Sequence, residues 1–147
     1  MSTIKVTLDV KGLESRMNTI KDRIMNNSYT ITKDVLISIQ REIEKNCPVD
    51  TGELRDSFTY DLKRIDGMIK GIIVSDKHYL KYVLYGTGIY NKNGRRTPWV
   101  YCDRDGNFHY TYGQRPNNFL RRSIDSNRSR LRSYIIARIG EDLRWLT

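Results

Sequence analysis

The sequence predicts a single α+β domain, in which a long N-terminal helix and a C-terminal helix pack on a mostly antiparallel sheet. Two segments carry apolar residues at intervals of three or four, which is the spacing of one helix face. Between them, alternating apolar and polar residues flank turn-forming pairs, as in β-hairpins. No repeat, low-complexity tract or linker interrupts the 147 residues, so residues 1–147 are expected to form one domain.

The N-terminal third is predicted to begin with a strand and continue as a helix. Apolar residues alternate over residues 4–10, and Gly12 is expected to end that strand. Helical spacing follows at Leu13, Met17, Ile20 and Ile24, and then at Ile31, Val35, Ile39 and Ile43. The polar residues 26–28 leave open a bend or a division into two helices. Pro48 ends the helix, because a proline disfavours helical geometry in the residue before it.

Two β-hairpins are predicted in the middle of the chain. Strands at 57–65 and 68–75 are joined by Asp66-Gly67, a pair that favours a tight reversal. The second hairpin spans residues 98–112 and turns at residues 103–106. Its aromatic side chains are Trp99 and Tyr101 on one strand, and Phe108, Tyr110 and Tyr112 on the other. With the strands in register, all five rings are expected on one side, either buried or presented to a partner subunit.

The last predicted element is an arginine-rich helix that starts near residue 117. Its apolar positions are Leu120, Ile124, Leu131, Ile135, Ile139 and Leu143, at multiples near four. Its arginines are Arg121, Arg122, Arg128, Arg130, Arg132, Arg138 and Arg144. Arg128 and Arg132 lie one turn apart, so an external anion would relieve their mutual repulsion. Arginine is suited to bidentate pairing with carboxylates or phosphates.

The basic excess of the chain is concentrated in its last third. The formal net charge is +9; residues 1–91 hold 14 basic and 12 acidic residues, and residues 92–147 hold 12 and 5. A basic segment of this kind suggests an anionic neighbour, either an acidic protein surface or nucleic acid. A solvated basic face that serves only solubility is the alternative.

No enzyme motif or cofactor site is predicted. Cys47, His78, Cys102 and His109 lack metal-ligand spacing, and the two distant cysteines are expected to stay reduced. The acidic residues 50, 53, 56 and 61 cluster around the Thr51-Gly52 turn, where capping of a short helix explains them better than acid–base or metal-dependent nuclease chemistry. Gly86-Thr87-Gly88 lacks the lysine of a phosphate-binding loop.

No contact with a membrane is expected from the sequence. No apolar run approaches the roughly 20 residues that a membrane-spanning helix needs. The first residues also lack the basic and apolar pattern of a signal peptide. Synthesis and folding in a cytoplasm are therefore expected.

Three stretches together resemble the head–tail joining proteins of tailed bacteriophages, which are also called tail-completion or neck proteins. Residues 48–57, PVDTGELRDS, resemble the P-V-D-T-G-x-L-x-x-S signature that follows the long helix of that family. Residues 82–88, YVLYGTG, are similar to its Y-V-E-F-G-T segment, and residues 115–120, RPNNFL, to its R-P-x-P-F-L entry into the last helix. Leu84 and Asn118 depart from the usual acid and proline, and residues 89–113 are longer than the family minimum and are expected to protrude as a loop or hairpin.

The resemblance implies a structural virion protein without catalysis. It implies assembly as a ring, commonly of six subunits, between the head connector and the tail tube, at the head–tail interface of the virion. The implied partners are other copies of the chain, a connector or head-completion protein, and a tail tube or tail terminator protein. Transient contact with DNA is compatible with this role. The alternative is a basic minor capsid or nucleic-acid-binding module that contacts packaged DNA.

The resemblance also singles out residues that set turns and fold, and the composition singles out residues for an interface. The turn and fold residues are Pro48, Asp50, Thr51, Gly52, Leu54, Ser57, Tyr82, Gly86, Thr87, Gly88, Pro116, Phe119 and Leu120. The candidate interface residues are Trp99, Tyr101, Phe108, Tyr110, Tyr112, Arg121, Arg122, Arg128 and Arg132.

Overall fold

A computed structural model describes residues 10–144 and confirms the α+β class. Its helices are α1 Val10–Asn46, α2 Glu53–Asp56, α3 Leu80–Tyr85 and α4 Phe119–Leu143. Its strands are β1 Phe58–Ile65, β2 Met68–Ser75, β3 Trp99–Cys102 and β4 Phe108–Thr111. The strands form two separate two-stranded antiparallel sheets, β1–β2 and β3–β4. Helix α3 has only six residues, so its apolar residues show no readable helical period in the sequence.

Helix α1 is continuous over 37 residues, so a division into two helices at residues 26–28 is wrong. The side chain of Asn26 does not compete with the helix backbone, because its Oδ1 accepts a hydrogen bond from Arg64 of β1 at 2.8 Å. The helix also begins at Val10, so Gly12 does not end a strand there. One glycine costs a helix only about 1 kcal/mol. The rest of the predicted strand, residues 4–9, lies outside the described residues.

The β1–β2 hairpin has the predicted boundaries and turn. Asp66 and Gly67 both adopt positive φ, 49° and 76°, as a tight two-residue turn requires. The strands pair from Phe58 with Ser75 to Ile65 with Met68. One face of the hairpin rests on α1 at very close range, because a Cβ on Gly71 would lie 2.6 Å from Leu36 Cδ1. Glycine at this position therefore brings β2 against the helix.

The core lies at the C-terminal end of α1, where four elements meet. Its buried members are Ile43, Cys47, Leu54, Phe58 and Phe119. Phe119, the first residue of α4, is fully buried, and its ring meets that of Phe58 edge to face with centroids 6.1 Å apart. Burial raises the pKa of the Cys47 thiol, so this cysteine remains a neutral core residue.

Helix α4 runs antiparallel to α1 and contacts it through a largely polar seam. Ser123, fully buried, lies with its Oγ 2.7 Å from the carbonyl O of Phe119 and 3.1 Å from that of Glu42, and it accepts a hydrogen bond from Asn46 Nδ2 at 3.0 Å. Further along, Arg130 donates to Ser38 at 2.9 Å, and Tyr134 donates to Asp34. In the described part of the chain, no buried side-chain nitrogen or oxygen is left without a partner.

The predicted apolar face of α4 packs only in part, since Leu120 contacts the core and Leu131 and Ile135 are half-buried. Ile124, Ile139 and Leu143 are 48%, 46% and 53% exposed. The buried positions are Phe119, Ser123 and Asn127. The short side chains of Ser123 and Asn127 allow close approach, and the hydrogen bonds that they make satisfy the buried backbone and side-chain groups. Beyond Phe119, α4 rests on α1 and not on a sheet.

Substitution Ser123→Ala is expected to destabilise the fold by about 1–3 kcal/mol, because it leaves buried hydrogen-bonding groups of α1 without their partner. The measurement is urea unfolding followed by circular dichroism. Ser133→Ala, an exposed serine of the same helix, is the matched control and should change stability by less than about 0.5 kcal/mol. Equal stability of both variants would mean that the polar seam does not hold α4 in place.

Candidate assembly surface

The 48–57 motif builds the connection between α1 and the first hairpin. Gly52, at φ +88°, accepts at its carbonyl O a hydrogen bond from Asp56 N at 2.9 Å and so closes the single turn of α2. Leu54 is buried in the core, and Ser57 Oγ lies 2.7 Å from Leu54 O and 2.6 Å from Ser75 Oγ. Thr51 Oγ1 accepts a long hydrogen bond of 3.5 Å from Glu53 N. Pro48 lies two residues after the last residue of α1, and Asp50 is exposed.

The acidic residues around this motif do not converge on a reaction centre. Glu53 lies 3.7 Å from Lys77, Asp56 lies 2.7 Å from Arg55, and Asp61 lies 2.8 Å from Lys63. The pKa of Asp56 is lowered by its hydrogen bond to Arg55 and that of Asp61 by its hydrogen bond to Lys63. Among residues 10–144, no group of three or more His, Cys, Asp or Glu residues is placed to hold a metal ion.

Residues 89–112, here called the arm, leave the domain through a tight crossing of two backbone segments. Thr87 N donates to Gln114 O at 2.9 Å, and Ile89 N donates to Tyr112 O at 3.0 Å. The side chain of Thr87 adds a bond from Gln114 N at 2.9 Å. A Cβ on Gly88 would lie 1.8 Å from Tyr112 O, so only glycine permits this approach. The crossing therefore holds the arm at a defined position on the domain.

Other glycines of the crossing were not identified from the sequence. A Cβ on Gly94 would lie 2.1 Å from Gly88 O, and one on Gly113 would lie 2.3 Å from Thr87 O. Gly86 belongs to the recognised motif, and a Cβ there would lie 2.7 Å from Gln114 O and 2.9 Å from Pro116 Cδ. Gly94 and Gly113 stand in polar, irregular segments, where a glycine is also typical of an ordinary turn. The sequence therefore offers no signal that separates them from ordinary loop glycines.

The five aromatic rings of the arm lie on two faces of the ribbon, so the expectation of a single aromatic side is wrong. In the observed register, Trp99 pairs with Thr111, Val100 with Tyr110, Tyr101 with His109, and Cys102 with Phe108. Opposite residues in antiparallel strands share a face. Trp99 and Tyr101 therefore lie on one face, and Phe108 and Tyr110 on the other. The imidazole of His109 stacks on Tyr101 with centroids 5.3 Å apart.

Most of the arm's side chains are exposed to solvent on both faces. Phe108 is 78% exposed, Tyr110 63% and Val100 58%, while Tyr101 and Tyr112 are about half exposed. Trp99 is partly covered, and Arg95 lies over its ring with 5.8 Å between the guanidinium carbon and the ring centroid. A rigidly based ribbon with large exposed apolar rings is typical of a surface that a partner covers.

The turn of the arm is organised by Asp103, whose carboxylate accepts several hydrogen bonds. Its partners include His109 Nε2 at 2.7 Å and the backbone N–H of Asn107 at 2.8 Å. The hydrogen bond from His109, followed by that from Asn107, lowers the pKa of Asp103 to about 2. The carboxylate therefore supports the turn at neutral pH, above its unfolded pKa, and that support is lost as pH falls from about 4 towards 2.

An NMR titration of the Asp103 carboxyl carbon should give a midpoint near pH 2. The substitution His109→Ala removes the largest cause of the shift, so the midpoint should move up towards the ordinary value of 3.8. The wild-type protein is the reference for this variant. A wild-type midpoint close to 3.8 would show that the turn is not held by this carboxylate.

The arginines of α4 divide into those with partners and those without. Arg121 lies 3.6 Å from Asp125, Arg138 lies 3.1 Å from Glu141, and Arg122 donates to Asn117 Oδ1 at 2.9 Å. Arg130 belongs to the seam with α1. Arg128 and Arg132, both exposed, have no ion-pair or hydrogen-bond partner among the side chains that the structure describes. These two arginines are therefore available to an external anion.

An exposed aromatic ribbon and a basic helix flank a modest core in this fold. Residues 11–86, more than half of the chain, match the family model of the HK97-gp10-like bacteriophage tail components. The chain therefore belongs to the HK97-gp10-like family, and the resemblance that its motifs carry is confirmed. No curated protein and no solved structure matches it significantly.

Family membership makes this chain a structural protein of the phage tail, and so a virion component. The matched region ends at Gly86, just before the arm, so the arm and α4 lie beyond it. None of the helices in residues 10–144 has the length and apolar character that crossing a membrane requires.

Proposed function

We propose that this protein completes the phage tail or the head-to-tail interface, as a subunit of a ring between the head connector and the tail tube. The observation that carries the proposal is the exposed aromatic ribbon on a rigid base, in a chain that belongs to a tail-component family. Phe108, Tyr110 and Val100 would remain in contact with water in an isolated subunit, and burying them favours association.

A second uncovered surface supports contacts between copies. The face of α1 on which the β1–β2 hairpin lies extends past the hairpin turn towards the N-terminus of the helix. On this extension, Met17, Ile20 and Ile24 are 62%, 37% and 46% exposed. They line a groove of about 730 Å³ together with Gly67 and Ile69. About 28 Å of helix separates Ile24 from the core residue Ile43, so the groove is distant from the base of the arm. Two different apolar surfaces on one chain suit a head-to-tail contact, which forms a ring when the rotation between neighbouring subunits closes.

The test is electron microscopy of the parent phage with this gene interrupted by a stop codon. The proposal expects DNA-filled heads and separate, unattached tails to accumulate. Expression of the intact gene from a plasmid should restore joined particles and is the control. Normally tailed particles from the interrupted gene would contradict the joining role.

The second candidate function is a nucleic-acid-binding module, and the basic excess of residues 92–147 favours it. Binding driven by phosphate contacts weakens steeply with salt, and each arginine removed lowers the salt slope by about one unit. Duplex DNA binding measured across a salt series therefore separates the two candidates. A protein that serves only as a joint should bind its protein partners and show weak, non-specific DNA affinity.

A further inference from the structure

One side of α4 lies away from the seam with α1 and combines two arginines with isoleucines that are exposed or half-buried. Ile124, Arg128, Arg132, Ile135 and Ile139 fall within roughly 80° of the helix circumference and extend over about 22 Å of its length. We call these five residues the outer face of α4. Phe119, Ser123 and Asn127, which pack on α1, lie on the other side of the helix.

The charge on the outer face is not neutralised by the chain itself. The nearest acid along the helix, Asp125, lies 3.6 Å from Arg121, and no ion pair joins it to Arg128 or Arg132 among the described residues. Arg128 and Arg132 are one turn apart, and their mutual repulsion is unfavourable until an anion lies between them. At the same time Ile124 and Ile139 are each nearly half exposed beside these two arginines.

We infer that the outer face of α4 docks an acidic protein surface that has an apolar centre. This inference rests on the proposed joining function and names the chemistry of one partner. Carboxylates of the partner pair with Arg128 and Arg132 in the bidentate geometry that guanidinium favours. Apolar side chains of the partner cover Ile124, Ile135 and Ile139, as in the central part of a protein interface.

The mixed charged and apolar character of the outer face favours an acidic protein surface over two other occupants, DNA and a second copy of this chain. DNA phosphates would satisfy the arginines, but the isoleucines beside them would gain little from a hydrated phosphate backbone. A second copy of this chain carries the same net charge of +9, so it is a poor counterion for a basic face. An acidic protein surface satisfies both the charge and the apolar area.

The test uses the parent phage with the interrupted gene, complemented from a plasmid by the variant Arg128→Glu with Arg132→Glu. Both side chains are exposed and without partners in the described part of the chain, so the variant should fold, which circular dichroism checks. The matched control is Lys33→Glu with Lys70→Glu, an equal change of charge on exposed residues of α1 and β2 that do not line the groove of Met17, Ile20 and Ile24. The inference expects infectious titre to fall to the uncomplemented level for the α4 variant only.

Suppressor mutations then identify the occupant. The inference expects them to replace Asp or Glu with Lys or Arg in another virion protein of the phage. A titre like that of the wild type or of the control would overturn the inference, and so would suppressors confined to this chain. A parallel loss of duplex DNA affinity at low salt, without suppressors in a second protein, would assign the face to DNA. If the interrupted phage joins heads to tails without any complementation, the proposed function itself has failed.

Discussion

Replacing Phe119 with alanine is expected to lower the free energy of unfolding by about 3–5 kcal/mol, the usual cost of truncating a buried phenylalanine. Phe119 is fully buried, begins α4 and meets Phe58 edge to face. The loss therefore removes the main apolar anchor of α4, because the remaining seam with α1 is largely polar. Urea unfolding followed by circular dichroism measures the change.

Phe108→Ala is the matched control for that substitution, since Phe108 is 78% exposed. Its stability should stay within about 0.5 kcal/mol of the wild type. In complemented phage, Phe108→Ala should fold stably but should still reduce the number of joined particles, because a partner loses an aromatic contact. Comparable destabilisation by both variants would contradict the placement of Phe119 as the core anchor.

Gly88→Ala is expected to open the base of the arm at a cost of about 3 kcal/mol, from left-handed backbone strain and two backbone hydrogen bonds. The φ of Gly88 is +59°, and an added Cβ would lie 1.8 Å from Tyr112 O. The two backbone segments must therefore separate, and the bonds from Thr87 N and Ile89 N break. Hydrogen exchange at these two amides should become fast.

Gly106→Ala is the control within the same arm, because its φ is +86° but a Cβ there would meet nothing within 4 Å. It carries the strain cost of a positive φ, about 1–2 kcal/mol, without a clash. The amides of Thr87 and Ile89 should therefore stay protected in this variant. Slow exchange in Gly88→Ala as well would mean that the crossing does not hold the arm.

The sequence predicted the elements better than it predicted their contacts. Asp66-Gly67 defines a hairpin turn through its backbone preferences, and Pro48 defines a helix end, so both are local signals. The faces of the arm depend instead on strand register. The five residues from Asp103 to Asn107, closed by the bond from Asp103 N to Asn107 O at 2.9 Å, set Cys102 opposite Phe108. No alternation pattern contains that information.

For α4, too, the sequence pattern does not show which residues make the tertiary contacts. The apolar period of the helix points to Ile124 and Ile139, yet Ser123 and Asn127 are the residues buried against α1. The choice depends on hydrogen-bonding partners such as Asn46 and Ser38, which lie far away along the sequence. Ile124 and Ile139, which this choice leaves exposed, become available to a partner and belong to the outer face of α4.

The central claim is that this tail component is located at the joint between head and tail, and a cryo-electron microscopy reconstruction of that joint in intact parent particles tests it most directly. The account predicts a ring whose subunit density holds a helix of 37 residues antiparallel to one of 25, with the aromatic arm buried against a neighbouring protein. A joint without this subunit, in particles that contain the protein elsewhere, would contradict the claim.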